Sequence, residues 1–132
     1  MGNLKASMVE VLNTGRVEEL LSGFCVQAEA ELKPKLQGFT GMILGGFLPQ
    51  VWVFETESES VTVIADANGR VTIRPGDGLQ RDLTIRWKED LLCGVLETRS
   101  RRGVPIGEVP TVIRHSQKGG AAFNYLKGRL GL

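Results

Sequence analysis

The stretch Arg81-Asp82-Leu83-Thr84-Ile85-Arg86-Trp87-Lys88-Glu89-Asp90-Leu91-Leu92 decides the fold. Leu83 to Trp87 alternates apolar and polar residues with a period of two, the signature of a strand with one buried face. From Lys88 the period changes, and Leu91, Leu92, Val95 and Leu96 recur at helical spacing up to Glu97. A strand that runs straight into an acidic, leucine-rich helix places this segment at the centre of an α+β fold.

Upstream, Val51, Val53 and Glu55 alternate with Trp52, Phe54 and Thr56, and Val61–Ala65 follows the polar Glu57-Ser-Glu-Ser. After Asp66-Ala-Asn-Gly comes Val71–Arg74. Asn68-Gly69 predicts a hairpin turn because both residues tolerate positive φ, and Pro75-Gly76-Asp77-Gly78 predicts another. With Leu83–Trp87 as the fourth strand, these neighbours are expected to form an antiparallel meander. Downstream, Thr98-Arg-Ser-Arg-Arg-Gly is a basic loop and Thr111–His115 is a fifth strand. Lys118–Leu130 is a closing helix with Ala122, Phe123, Leu126 and Leu130 on one face.

At the front, Leu4, Met8, Val11 and Leu12 predict a short helix broken at Asn13-Thr14-Gly15, with Thr14 as the cap of the next. That second helix carries one apolar stripe of Val17, Leu20, Leu21, Phe24, Cys25, Ala28 and Leu32, and Glu18 and Glu19 favour its N-terminal dipole. It is expected to stop before Pro34. Gly38–Gln50 is apolar and glycine-rich and follows neither period. Two readings fit it: a mobile wall of a cavity, or a segment that packs on the sheet and uses glycine for close backbone approach. The fold class is therefore α+β, a five-stranded, mostly antiparallel sheet covered by helices, with residues 1–132 as one domain.

Composition narrows the function. The chain has 132 residues, 42% hydrophobic and 23% charged, and no run approaches the roughly 20 apolar residues that a membrane span needs. A cytoplasmic globular protein is expected. Sixteen basic residues against 15 acidic ones give a net charge of +1, which offers no general attraction for nucleic acid. Any anionic partner needs a local patch. Cys25 and Cys93 lie outside CxxC spacing, so zinc and a disulfide framework are not expected, and both thiols read as buried and reduced.

No residue set announces catalysis. The single histidine, His115, sits beside Ser116, and adjacent strand residues point to opposite faces. Glu55, Glu57 and Glu59 lack His or Cys support for a metal. Neither a Walker sequence nor a dinucleotide fingerprint is present, so no cofactor is expected. Arg99, Arg101 and Arg102 form a compact basic group, joined by Arg114, His115 and Lys118 if the last strand lies beside that loop. Such a group suits a lipid headgroup or the phosphates of a coenzyme A thioester.

From Val51 to Leu132 the chain resembles the sterol carrier protein 2 (SCP2) family, most of all its compact stand-alone microbial members. The resemblance rests on the paired strands Val51–Thr56 and Val61–Ala65 and on Asp66-Ala-Asn-Gly-Arg-Val-Thr-Ile with its glycine-centred turn. It rests above all on Asp82-Leu-Thr-Ile-Arg-Trp-Lys-Glu-Asp-Leu-Leu, with His115-Ser-Gln-Lys-Gly-Gly-Ala-Ala-Phe-Asn-Tyr-Leu at the close. The chain departs from the family at Leu96-Glu-Thr-Arg-Ser-Arg-Arg, which replaces a Gly-Lys helix end and a Gly-Lys-Leu strand, and in the Gly38–Gln50 segment.

The resemblance implies an apolar tunnel between sheet and helices that takes fatty acyl chains, acyl-CoA, isoprenoids or sterols. Its candidate walls are Phe39, Met42, Ile43, Leu44, Phe47, Trp52, Phe54, Leu92, Phe123 and Leu126. The expected function is non-catalytic binding or carriage of such a ligand, with at most peripheral membrane contact. One alternative is an accessory protein that presents a lipid intermediate, such as a polyprenyl quinone precursor, to lipid-metabolising enzymes. Another is a small acyl-CoA thioesterase or hydratase in which His115 and Asp82 or Glu55 converge.

Overall fold

The computed structural model describes residues 15–37, 41, 44–78 and 80–132. The short helix expected around Leu4–Leu12, and Thr14, lie outside these residues. Described in chain order are helix α1 (Arg16–Lys35), a 3-10 turn (Gly45–Phe47), strands β1 (Gln50–Glu55), β2 (Ser60–Ala65), β3 (Val71–Pro75) and β4 (Leu83–Arg86), helix α2 (Glu89–Thr98), strand β5 (Thr111–Arg114) and helix α3 (Gln117–Leu130).

The strands form one sheet in the order β3-β2-β1-β4-β5. The meander holds for β1, β2 and β3, and β4 pairs antiparallel with β5. β4, however, joins β1 in parallel, with Trp52 beside Leu83 and Phe54 beside Ile85, so the expected continuation of the meander from β3 is corrected. β3 ends level with the far end of β1, with β2 between them, whereas β4 begins beside the start of β1, so the connection from β3 to β4 crosses the sheet. Thr62 Oγ1 donates to the Gly76 carbonyl at 2.6 Å, and Arg81 reaches Glu55 and Thr84, which places the crossing on the face away from the helices. Val53, Thr62 and Thr84, one cross-strand row, are buried on that face.

On the other face Trp52, Phe54, Val61, Val63, Leu83 and Ile85 form one apolar cluster with Val17, Leu21 and Cys25 of α1, Leu92, Val95 and Leu96 of α2, and Phe123 and Leu130 of α3. α1 crosses β3 and packs on α2, and α3 lies over β1, β4 and β5. Fully burying one such side chain contributes about 1.5–3 kcal/mol, so this face holds the helices to the sheet.

Several local devices depart from the expectations. α1 does not stop before Pro34 but includes it and ends at Lys35. A proline in the last turn forfeits its own N–H donation and leaves the neighbouring bonds, and Leu36 N–H still reaches the Leu32 carbonyl at 3.1 Å. The N-cap of α1 is Gly15, which has no side chain to offer. Instead the Glu59 carboxylate accepts from Val17 N–H at 3.1 Å and Glu18 N–H at 3.0 Å.

At the β2–β3 turn only Gly69 takes positive φ, at 84°. Gly69 N–H bonds to the Asp66 carbonyl, and Asp66 Oδ1 accepts from Asn68 N–H and Arg70 N–H, which spares Asn68 the left-handed conformation. A Cβ on Gly69 would stand 2.6 Å from Leu36 Cδ1, so this glycine also admits the end of α1.

Candidate functional site

The expected wall residues separate into three groups. Phe39, Met42 and Ile43 lie outside the described residues. Trp52, Phe54, Leu92 and Phe123 are buried in the helix-facing cluster. Leu44 is half-buried, Leu126 is half-buried against the cluster, and Phe47 is exposed at 36%. The 3-10 turn that carries Phe47 packs against α3, so Phe47 lies near the helix that supplies Phe123 and Leu126. Trp52 from the central strand and Phe123 from α3 meet with ring centroids 6.1 Å apart and planes tilted by 59°, and Phe54 follows at 6.4 Å from Trp52. Such pairs add about 0.5–1.5 kcal/mol beyond area burial.

A residue that sequence reasoning passed over joins these parts. Gln50, 6% exposed, donates through Nε2 to the Phe47 carbonyl at 2.7 Å and the Lys118 carbonyl at 3.0 Å, and its Oε1 accepts from Trp52 Nε1 at 2.8 Å. One amide thus ties the 3-10 turn, the start of α3 and the indole together. The available signal was a lone amide between Pro49 and the apolar strand, too common a pattern to single out.

The basic residues do not form one group. Arg99 stands at the end of α2 with φ 54°, stacks 5.2 Å from the Phe24 ring and donates to the Leu96 and Arg129 carbonyls. Arg101 stacks 5.7 Å from the Trp87 ring and donates to the Glu108 carbonyl at 2.7 Å. Arg102 is exposed. Arg114, His115 and Lys118 sit instead near the start of α3. Arg114 lies 5.6 Å from the Phe123 ring, and Lys118 Nζ donates to the Pro49 carbonyl at 2.6 Å. Lys118 and Arg129, whose carbonyl Arg99 holds, stand near opposite ends of α3, roughly 16 Å of helix apart.

His115 Nε2 lies 2.9 Å from Thr84 Oγ1, which also accepts from Arg81, and Arg81 pairs with Glu55 at 2.8 Å. Arg81 first, and then Arg86, hold the Glu55 carboxyl below the ordinary carboxylate range, against the opposing effect of burial. Asp82 is occupied elsewhere. Its Oδ2 accepts from Val51 N–H at 2.9 Å, its Oδ1 accepts from Ser116 Oγ at 2.7 Å, and its backbone carbonyl accepts from His115 N–H. His115 and Glu55 are linked only through Thr84 and Arg81, and Asp82 turns toward Ser116. This arrangement supplies a braced sheet face rather than a nucleophile beside a base.

A cleft of about 460 Å³ opens at the other end of β1, with Glu55, Glu57, Glu59, Arg86 and Lys88 among its lining residues. Its carboxylates already have partners. Glu57 accepts from Glu89 N–H at the start of α2, Glu59 caps α1, and Glu55 holds Arg81 and Arg86. Among the described residues no group of three or more His, Cys, Asp or Glu side chains is placed to hold a metal ion, and no helix is long and apolar enough to cross a membrane.

No family model and no curated protein matches the chain. A solved structure described as a "UbiJ-SCP2 Ubiquinone synthesis protein" is similar over 82% of this chain and 90% of its own, with a TM-score of 0.49 and 16% sequence identity.

Proposed function

We propose that this protein binds a hydrophobic ligand, a fatty acyl, isoprenoid or sterol group, between the sheet and α3, and carries it without chemical change. The carrying observation is the contact of Trp52 with Phe123, flanked by the half-buried Leu126 and by the 3-10 turn with its partly exposed Phe47. Large apolar side chains on two separate elements line that seam, and the polar groups at its edge are satisfied by Gln50. A ligand that parts α3 from the sheet exchanges one apolar contact for another, and each buried CH₂ contributes about 0.8 kcal/mol. The resemblance of the sequence to the SCP2 family supports the same reading. The dispersed placement of His115, Asp82 and Glu55 favours carriage over an acyl-CoA-processing enzyme.

Native mass spectrometry of the purified chain, followed by organic extraction, tests this reading. A stoichiometric acyl, isoprenoid or sterol adduct is expected, together with a change in Trp52 fluorescence when the ligand is removed. A chain that stays free of adduct after incubation with all three lipid classes refutes it.

A further inference from the structure

The loop between α2 and β5 exposes aliphatic side chains in a way that the core does not require. Ile106 is exposed at 106%, so its side chain touches essentially nothing, and Val109 is 66% exposed. The segment is nonetheless well constructed. Val104 N–H bonds to the Arg101 carbonyl at 3.0 Å and Glu108 N–H to the Pro105 carbonyl at 3.1 Å, which makes two successive turns. Gly107 takes φ 91° at the third position of the second turn, a conformation that glycine adopts without strain. Arg101 closes the base by donating to the Glu108 carbonyl, while Val104 packs against the core cluster. Pro105 and the paired turns hold Ile106 at a tip, so little conformational freedom remains to be lost when that tip meets a partner.

Charge identifies the partner. Residues 99–110 contain Arg99, Arg101 and Arg102 against Glu108 alone, a local excess of +2 in a chain whose total is +1. Glu108 is itself paired with Lys88 at 3.1 Å. A convex tip with aliphatic side chains and flanking guanidinium groups fits the boundary between lipid headgroups and acyl chains, where phosphates meet the arginines and the aliphatic groups leave water. A protein interface instead centres on aromatic anchors in a packed patch.

We propose that the 101–109 loop docks the protein on anionic membrane surfaces, with Ile106 and Val109 entering the acyl boundary and the exposed Arg102 contacting the phosphates. This docking does not rest on the ligand reading, since the loop and the Gln50 seam lie toward opposite ends of α3.

The test is co-sedimentation of the full chain with vesicles of phosphatidylcholine alone and of phosphatidylcholine mixed equally with phosphatidylserine, at low and physiological salt. Binding to the mixed vesicles is expected, weaker as salt screens the arginines. Ile106→Asp is expected to reduce it about tenfold. Its melting temperature should be unchanged, because the native side chain makes no packing contact. Arg102→Glu should reduce binding several-fold and flatten the salt dependence. Equal binding of wild type to both vesicles, or binding by Ile106→Asp and Val109→Asp equal to wild type, overturns the proposal. The lipid adduct of Ile106→Asp in native mass spectrometry reports separately on the ligand seam, and its loss or retention leaves the vesicle result intact.

Discussion

Ser116 donates its hydroxyl proton to Asp82 Oδ1 at 2.7 Å while its oxygen accepts from Gly119 N–H at 3.1 Å, so a single hydroxyl joins the entry of β4 to the first turn of α3. Asp82 extends the junction to β1 through Val51 N–H, and Lys118 stands 3.9 Å from its carboxylate. Gly119 is part of the same fit, since a Cβ there would lie 2.3 Å from the Asp82 carbonyl oxygen.

Removing the carboxylate leaves a strand N–H and a hydroxyl without their partner. Asp82→Ala is therefore expected to cost about 2–4 kcal/mol, and Ser116→Ala about 1 kcal/mol through the lost cap. A double-mutant cycle by urea denaturation should show coupling well above the error of the measurement. Additive effects would mean that the two side chains act independently.

Glu59 acts as a cap supplied from 42 residues away. Glu59→Ala is expected to lower stability by about 1–2 kcal/mol. Glu59→Gln, whose amide oxygen still accepts, should lose less. Hydrogen exchange at Val17 and Glu18 checks the site of the effect, and unchanged protection there in Glu59→Ala would contradict it.

Acid should weaken the brace across the sheet face away from the helices. Because the folded-state pKa of Glu55 is lowered, its contribution is present above the unfolded carboxylate value, near 4.3, and is lost as pH falls through the folded value. Arg81→Gln removes the first cause of that lowering and is expected to cost about 1 kcal/mol near neutral pH. The gap between variant and wild-type melting temperatures should begin to narrow as pH falls below the unfolded carboxylate value, about 4.3, and close as it passes through the lowered folded value of Glu55. A constant gap from pH 7 to pH 3 would show that Arg81 acts through packing alone.

Burial pushes the Cys25 thiol up to about 11, with Glu29 adding to it, and burial again dominates in raising Cys93 to about 11. At pH 8 neither thiol forms appreciable thiolate in the folded chain. Labelling by a disulfide reagent is expected to follow the unfolding rate, with both thiols reacting at once in denaturant. Fast labelling of either in the native state would contradict the burial described here.

The sequence was most legible where a period is local. Trp52 and Phe54 on one face of β1, Leu92, Val95 and Leu96 on α2, and Phe123 and Leu130 on α3 all point where their spacing says. It was least legible where partners are distant. Sequential strands usually neighbour one another, so nothing in Leu83–Arg86 reveals that β1 rather than β3 receives it. The same distance hides the task of Glu57 and Glu59, which in sequence are only carboxylates in a polar stretch and in fact cap two helices. Arg99, Arg101 and Arg114 looked like one charged patch because sequence shows their charge and not the Phe24, Trp87 and Phe123 rings on which they lie. Pro34 marked the end of α1 to within two residues.

The parallel pairing of β1 with β4 bears on how the chain emerges during synthesis. β1 is the middle strand of the finished sheet, yet the segment that covers its second edge begins 31 residues after Val51. Until that segment leaves the ribosome, the nascent chain holds at most a three-stranded sheet whose bare edge is the strand that the finished fold buries most among the three, open to pairing with another chain. Polysomes, which hold neighbouring copies at the same stage, are where that exposure matters most, and slow translation between Glu55 and Asp82 would prolong it.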